Sequence, residues 1–459
     1  MKNPLLAPEL REYIANDDAG GLREFCEQVH PAAFADFLTG LEPDEMWQVL
    51  KRLTSKQRVA VFNEIDADFQ TEIAILLRRD ELGTLVTDMP PDDRVDFLKR
   101  MPEEKRDAIL PALAQAERED IKRLSAYPEG TAGAIMTTEY AAIRPDITAA
   151  EAIGKLRHEA PDKETIYYAY VLDESRKLVG FISLKDLILA RPDVRVADIM
   201  HGDVISAAVD EDQEAAARKL QKFDLIALPV VDAAGRLVGI ITHDDAFDVI
   251  VQEQTEDMEK LVAIGGAHEA AAYIRTPAWM HFKNRCGWII VLAFLGLVSG
   301  AIVQSFEGLL VQFAILATFM PMLADTGGNT GSQSATLIVR ALALGEVTTR
   351  DVLRVLLKEL LVSLPMGLLL AFFAFGRVML FGGAGGIPDG FSPATVGLAV
   401  GVALGIQVVT ATLIGAMLPL AAARMKLDPA VVASPAITTI VDITGLLIFF
   451  MTAGYVLGF

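Results

Sequence analysis

Between residues 284 and 459 the chain holds five apolar stretches: Trp288 to Val303, Leu309 to Leu344, Val352 to Phe381, Pro393 to Ala421 and Val431 to Leu457. A helix needs ~20 apolar residues to cross a bilayer, and only a helix or closed barrel satisfies its own backbone there. The back of the chain is therefore expected to be an α-helical membrane domain of five spans. Charge divides the chain at the same place. From Asn284 onward eight acidic residues balance eight Arg or Lys, so the whole net charge of -20 lies in the front part. An acidic front repels nucleic-acid phosphates and suits solvation or divalent-cation binding. Cys26 and Cys286 cannot form a disulfide framework, and the N-terminus has no long apolar signal segment. The front is thus expected in the cytosol.

Loop charge gives an orientation. Lys283 and Arg285, then Arg340, Arg350, Arg354 and Lys358, then Arg424 and Lys426 alternate with loops carrying Glu307, Arg377 and Asp389. Cytoplasmic loops collect Lys and Arg, which predicts a multi-pass protein of the plasma (inner) membrane with its N-terminus in the cytoplasm and its C-terminus outside.

Residues 1–130 read as an acidic array of short helices. Glu42-Pro43-Asp44-Glu45, Thr54-Ser55, Asp66, Pro90-Pro91-Asp92-Asp93 and Pro102-Glu103-Glu104 are caps or first-turn prolines ahead of apolar-periodic runs. Residues 131–252 are an internal duplication, with copies at 131–195 and 196–252. Ile135-Met136 returns as Ile199-Met200, and Leu178-Val-Gly-Phe-Ile-Ser-Leu-Lys-Asp186 as Leu237-Val-Gly-Ile-Ile-Thr-His-Asp-Asp245. A helical pattern over 246–264 carries Glu253, Glu256 and Asp257 and reads as a connecting rod stopped at Gly265-Gly266. Residues 265–283, with Pro277, Trp279 and Phe282, read as a second helix at the membrane interface, where Trp is favoured.

An aspartate at the centre of a membrane helix costs ~2.5–3.5 kcal/mol and marks a functional site by default. Asp442 sits in the fifth stretch, where Ser434, Thr438, Asp442 and Gly445 stack along one helix side. The second stretch repeats the device with Asp325, Asn329, Ser332, Gln333 and Thr336, and Pro321 with the glycines 327, 328 and 331 predicts a bend or broken turn there. Tight small-residue packing accounts for the glycines but not for an aspartate. No histidine follows His281, so the donors are oxygens and amides and the cation expected is hard. A carboxylate with carbonyl and hydroxyl oxygens matches Mg²⁺, and two copies of Asp442 across a dimer axis would supply a pair; sodium or a proton coupled to another solute fits the same donors. Acidic residues in the front, Asp92, Asp93, Asp244, Asp245, Asp248, Glu253, Glu256 and Asp257, repel one another unless cations come between them, which would make interdomain contacts cation-dependent.

The duplicated region resembles a tandem pair of cystathionine β-synthase (CBS) domains through Gly180, Ser183, Asp186 and Gly239, Thr242, Asp245. That resemblance implies a sensor module in which Ser183, Asp186, Thr242 and Asp245 would contact ATP or another adenosine nucleotide. Over its full length the chain resembles the MgtE magnesium transporter/channel family, through Gly327-Gly-Asn-Thr-Gly-Ser-Gln-Ser-Ala-Thr336, Asp428-Pro429 and Pro435-x-x-Thr-Thr-x-x-Asp442-x-x-Gly445. The resemblance implies a multidomain homodimer in the lipid bilayer: an all-α N-terminal helical array, an α/β tandem CBS pair, a long connecting helix and a five-span membrane domain. It implies a pore lined by Asp442, Thr438, Ser434, Asp325, Asn329 and Gly328, with Asp442 selecting the ion. It also implies that 246–264 is a plug held shut when Mg²⁺ bridges Glu253, Glu256 and Asp257 to Asp428 and the CBS pair, with Asp212, Glu214, Asp224, Asp245 and Asp248 as further sensor ligands beside Asp92 and Asp93. The competing expectation is a nucleotide-regulated secondary transporter of another cation or solute. Enzyme chemistry is not expected: His268-Glu269 begins a zinc-protease motif, but Ala272 stands where its second histidine belongs.

Overall fold

The structure is a computed structural model that describes residues 4–265, 273, 276–381, 387–432 and 434–459. It divides into two compact units, Met1–Val251 and Gln252–Phe459.

In the first unit ten short α-helices lie between Ala7 and Leu124. Their caps follow the sequence. Glu45 Oε2 accepts from the Glu42 backbone N–H at 3.1 Å, and Thr54 exchanges bonds with Gln57 in a capping box, satisfying first-turn donors that the helix leaves bare. Asp66 precedes a helix without capping it through its side chain. Helix α1 (Pro91–Arg100) starts on Pro91, whose missing N–H costs nothing at that position. It is anchored by the buried Arg94, which donates to the carbonyls of Val86, Thr87 and Met89 at 2.7–3.1 Å.

The duplication folds as two three-stranded sheets of one topology. Strand β1 (Tyr140–Ile143) lies parallel to β2 (Thr165–Leu172), which is antiparallel to β3 (Leu178–Ser183) and leads into α2 (Leu184–Leu189). β4 (Ala207–Ala208), β5 (Ala227–Val231) and β6 (Leu237–Thr242) repeat the order. The two copies exchange backbone bonds across the division at 195/196. Thr137 exchanges backbone bonds with Ile240 of the second copy, and His201 with Phe181 of the first. Each Ile-Met segment thereby lies on the other copy's glycine: a Cβ on Gly239 would stand 2.6 Å from Met136 sulfur, and one on Gly180 2.9 Å from Met200 sulfur. The repeated glycines make room for the exchange. One apolar core joins the helical array to the second copy, while the first has its own.

Helix α3 (His243–Leu261) leaves the second copy and crosses from one unit into the next. It stops before Gly265: Ile264 N–H donates to Glu259 O at 2.9 Å, and Ala263 takes the left-handed conformation at φ 56° that glycine usually supplies. Residues 266–272, including His268, Glu269 and Ala272, lie outside the described residues. The expected separate interfacial helix is corrected in part, because Ala278–Lys283 are the first turns of the long helix α4 (Ala278–Ser305), with Pro277 as N-cap.

The second unit continues with a six-residue helix, Glu307–Gln312, a 3-10 turn, Ala314–Phe319, and helices α5 (Met320–Ala343), α6 (Val352–Phe381), α7 (Pro393–Arg424) and α8 (Ser434–Leu457). The expected span Leu309–Leu344 is thus broken at Phe313, while α5 runs unbroken through Gly327, Gly328 and Gly331 because Pro321 falls in its first turn. Among the described residues four helices are long and apolar enough to cross a membrane: α4, α6, α7 and Ala436–Leu457 of α8. α5 has the length without the composition. Its glycine face is buried in backbone contact instead: a Cβ on Gly331 would stand 3.2 Å from Ala411 O, and one on Gly415 would overlap Gly331 O.

Candidate functional site

The membrane unit presents two polar devices. On α5 the buried side is Gly327, Gly328, Gly331, Ser334 and Ala335, and the opposite side exposes Asp325, Asn329, Gln333 and Thr336 at i, i+4, i+8 and i+11. Helical periodicity makes these four one polar stripe. Asn329 Nδ2 donates to Asp325 Oδ1 at 3.1 Å, holding both at the outer surface of the protomer. On α8, Asp442 is half-buried, and its Oδ1 is fully buried with no hydrogen-bond partner. A buried carboxylate oxygen left bare costs on the order of 1–3 kcal/mol, and among the described residues no donor offsets that cost here. Thr438, one turn before, lies against Gly328, where a Cβ would meet its Cγ2 at 2.9 Å. Gly445, nearly one turn after, lies against Gln407. Ser434 opens α8, and its side chain lies outside what is described.

Gln407 is a residue that sequence reasoning missed. It is 1% exposed, donates from Nε2 to Leu323 O at 2.9 Å, and keeps Oε1 buried without a partner. It is wedged between Gly327 of α5 and Gly445 of α8, at both of which a Cβ would collide with its amide. Its signal was present, since it is the lone amide in the 32 residues of α7. Glu359 was missed as well. Buried at 9% exposure on α6, it accepts a hydrogen bond from Ser334 Oγ at 2.8 Å and ties α6 to α5.

The soluble unit gathers Asp92 and Asp93, in the first turn of α1, opposite Asp245 in the first turn of α3, with Glu164 at the rim. Burial pushes the Asp92 carboxyl up to about 7, helped by Asp93 and Glu164. Burial likewise lifts Asp93 to about 7, with Asp245 next in effect, and Asp245 to about 7, with Asp92 next. Asp248 and Glu164 are raised by burial and then by Asp244. Asp92 Oδ1 and Thr137 Oγ1 are both buried, and Thr137 is the hydroxyl near enough to favour the charged form of Asp92. Desolvated like charges of this kind favour a proton or a metal ion between them. Among the described residues no three His, Cys, Asp or Glu side chains are drawn tightly enough to ligate one ion directly.

Other expected ligands have local work. Asp212 caps the helix Gln213–Lys222 through Ala215 N–H at 3.0 Å, Glu214 pairs with Arg218, and Asp224 follows the same helix at φ 50°. A ten-residue helix spans ~15 Å, so Asp212 and Asp224 do not share a site within one chain. On α3, Glu253 and Asp257 are half-buried and partnered. Glu256 and Asp428 are joined through Lys260, whose Nζ is 2.7 Å from Asp428 Oδ2. Burial acts to lower the Lys260 ammonium, but its hydrogen bonds to Asp428 and Glu256 outweigh it and hold the group above the ordinary lysine range. A lysine here supplies the positive charge that a divalent ion was expected to supply. In the first CBS copy, Ser183 caps α2 and donates to Asp186 Oδ2 at 2.6 Å, and His201 Nε2 stands 3.2 Å from the same oxygen. Thr242 donates likewise to Asp245, which belongs to the acidic cluster.

Three kinds of comparison bear on this arrangement. Residues 320–452 match the family described as "Divalent cation transporter", residues 29–130 the "MgtE intracellular N domain", and residues 132–193 and 196–252 the CBS domain. The chain is 38% identical over 451 residues to the magnesium transporter MgtE of Thermus thermophilus, covering 98% of each, and 32% identical over 430 residues to that of Bacillus subtilis, covering 91% of this chain and 92% of the relative. Among solved structures it is similar to the soluble part of a magnesium transporter (TM-score 0.52, 34% identity, 54% of this chain and 97% of that one). It is similar too to the cytosolic domain of the Mg²⁺ channel MgtE in complex with ATP (TM-score 0.50, 37% identity, 53% and 100%). Near-complete coverage at this identity, with the domains in one order and the acid-bearing helices inside the matched segment, shows that the chain belongs to the MgtE family.

Proposed function

We propose that this chain is a Mg²⁺-selective membrane channel that passes the ion down its electrical gradient. The observation that carries the reading is Asp442, a half-buried carboxylate with a bare oxygen on a membrane helix, beside a helix that exposes Asp325, Asn329, Gln333 and Thr336 as one polar stripe. A hydrated divalent ion is the partner such oxygens suit, because Mg²⁺ binds through one or two carboxylates and keeps its waters. An exposed polar stripe on α5 is stable in a bilayer only against water or protein. This supports α5 as a fifth span, two protomers related by a twofold axis with Asp442, Thr438, Ser434, Asp325, Asn329 and Gly328 along the seam, and a C-terminus outside.

Cytosolic Mg²⁺ is the proposed regulator. Asp92, Asp93 and Asp245 form a cluster whose repulsion a cation would relieve, with Asp248 beside Asp244 further along α3 and with Asp212, Glu214 and Asp224 available to a second chain. Glu253, Glu256, Asp257 and Asp428 form the corresponding set between rod and membrane helices. An adenosine nucleotide would be held at Ser183 and Asp186 rather than at Thr242 and Asp245, since Asp245 already faces the acidic cluster. Uptake of Mg²⁺ into proteoliposomes, with Co²⁺, Ca²⁺ and Na⁺ as competitors, tests the reading: no Mg²⁺ uptake, or uptake that requires a co-transported solute, would favour the secondary transporter instead.

A further inference from the structure

Two clefts on the outer side of α6 and α7 are continuous, sharing Leu353, Leu356 and Met417. The first, of about 880 Å³, opens between Thr349 and Arg350 ahead of α6 and Arg424, the last residue of α7. The second, of about 340 Å³, continues between the same helices past Leu360, Leu413 and Ile414 and is walled almost wholly by apolar side chains. From Val352 to Leu360 the groove runs ~12 Å along the helix, most of the ~15 Å of one leaflet's hydrocarbon. Its charge is equally one-sided. Arg350 and Arg424 are exposed and have no acidic partner among the described residues, whereas nearby Arg354 is paired with Asp351. The positive end of the 30-residue helix α6 points at the same mouth.

We propose that this groove binds an anionic phospholipid, its phosphate between Arg350 and Arg424 and one acyl chain along Leu353, Leu356, Leu360 and Ile414. The proposal rests on the membrane reading above. Two unpaired guanidiniums offer planar forks for a phosphate, and an apolar channel leading from them has no use for a free anion. A zwitterionic lipid would bring its own cation to the arginines and bind less well.

The test uses the full-length protein, with lipid retention read by native mass spectrometry. Phosphatidylglycerol is expected to be retained over phosphatidylcholine, and Arg350→Gln/Arg424→Gln to lose about thirtyfold of that preference, given ~1 kcal/mol for each of the two basic residues at a lipid surface. Leu360→Trp, which fills the channel without changing charge, should lower phosphatidylglycerol retention and leave inorganic phosphate unaffected. Arg340→Gln/Lys426→Gln removes equal charge elsewhere and should change nothing. Equal loss in that control, retention of inorganic phosphate alone, or disulfide formation between protomers through Leu357→Cys would each overturn the site. Mg²⁺ flux of the unmodified protein in phosphatidylcholine vesicles reports separately on the channel reading.

Discussion

Both units hold carboxylates without a salt bridge among the described residues, and they hold them differently. In the soluble unit Asp92, Asp93 and Asp245 face one another across the seam between the helical array and the second CBS copy, so each burdens the others. In the membrane unit Asp442 stands apart from other acids, with a glycine-backed threonine on one side and a glycine on the other. Crowded acids make a contact that exists on condition that a cation is present. On the proposed reading, a solitary acid on a membrane helix would make a place where a cation stops briefly, since among the described residues nothing else completes its shell. The distinction proposed is between holding an ion and letting one pass.

The sharpest way to break this contrast is at Asp442. Asp442→Asn should cut Mg²⁺ flux into proteoliposomes by about a hundredfold, the equivalent of ~2.7 kcal/mol of lost cation stabilisation. Flux within a factor of two of wild type would remove Asp442 from the path. Next is the wedge beside it. Gly327→Ala forces a methyl into Gln407 and should destabilise the membrane unit by ~1–3 kcal/mol, seen as lowered thermal stability in detergent. Adding Gln407→Ala should recover part of that loss, and strict additivity of the two would show that they are not coupled.

The crowded site carries a pH dependence of definite sign. An aspartate has a carboxyl near 3.9 when unfolded, and these three stand at about 7 when folded. Between those values the folded protein holds more protons, so its stability falls as pH rises from about 4 to about 7 and levels off above. One such shift is worth ~4 kcal/mol, and three groups that share protons give well under three times that. Melting of the soluble unit in a chelating buffer measures it, and millimolar Mg²⁺ or Asp245→Asn should flatten the slope. The smallest effect is at the Lys260 link. Lys260→Met should cost ~0.5–1 kcal/mol, as befits a partly exposed pair. It should also make proteolysis after α3 more responsive to Mg²⁺, since Asp428 and Glu256 would then have only that ion to share.

Much of this was legible in the residues. The caps at Glu42, Thr54 and Pro91, the duplicated strands and the long apolar helices all follow from local chemistry. Exchange of the Ile-Met segments was not legible, because pairing between Thr137 and Ile240 spans a hundred residues and leaves only the repeated glycine as a trace. The break at Phe313 was hidden inside an apolar run that reads equally well as continuous helix. Glu359 should have been noticed by the rule that singled out Asp442, a carboxylate in an apolar span. The acidic cluster was visible as residue types, but that Asp92, Asp93 and Asp245 meet while Asp212 and Asp224 stand at opposite ends of one helix is a fact of tertiary packing.

The seams where α5, α6 and α7 touch through bare backbone have a mechanical consequence. A Cβ on Gly367 would lie 2.8 Å from Gly405 O and one on Gly401 2.9 Å from Ala371 O, so at these points α6 and α7 meet with no side chain between them to take up slack. Parting them forfeits dispersion contacts along the whole seam at once, which makes the pair a chassis rather than a hinge. By contrast α4 has none of its 28 residues buried, and α8 meets α5 through the rotatable Thr438 and Val441. On the proposed reading, widening of the passage would fall first to tilting of α4, since Phe449, Phe450 and Ala453 hold α8 in the same core as α6 and α7.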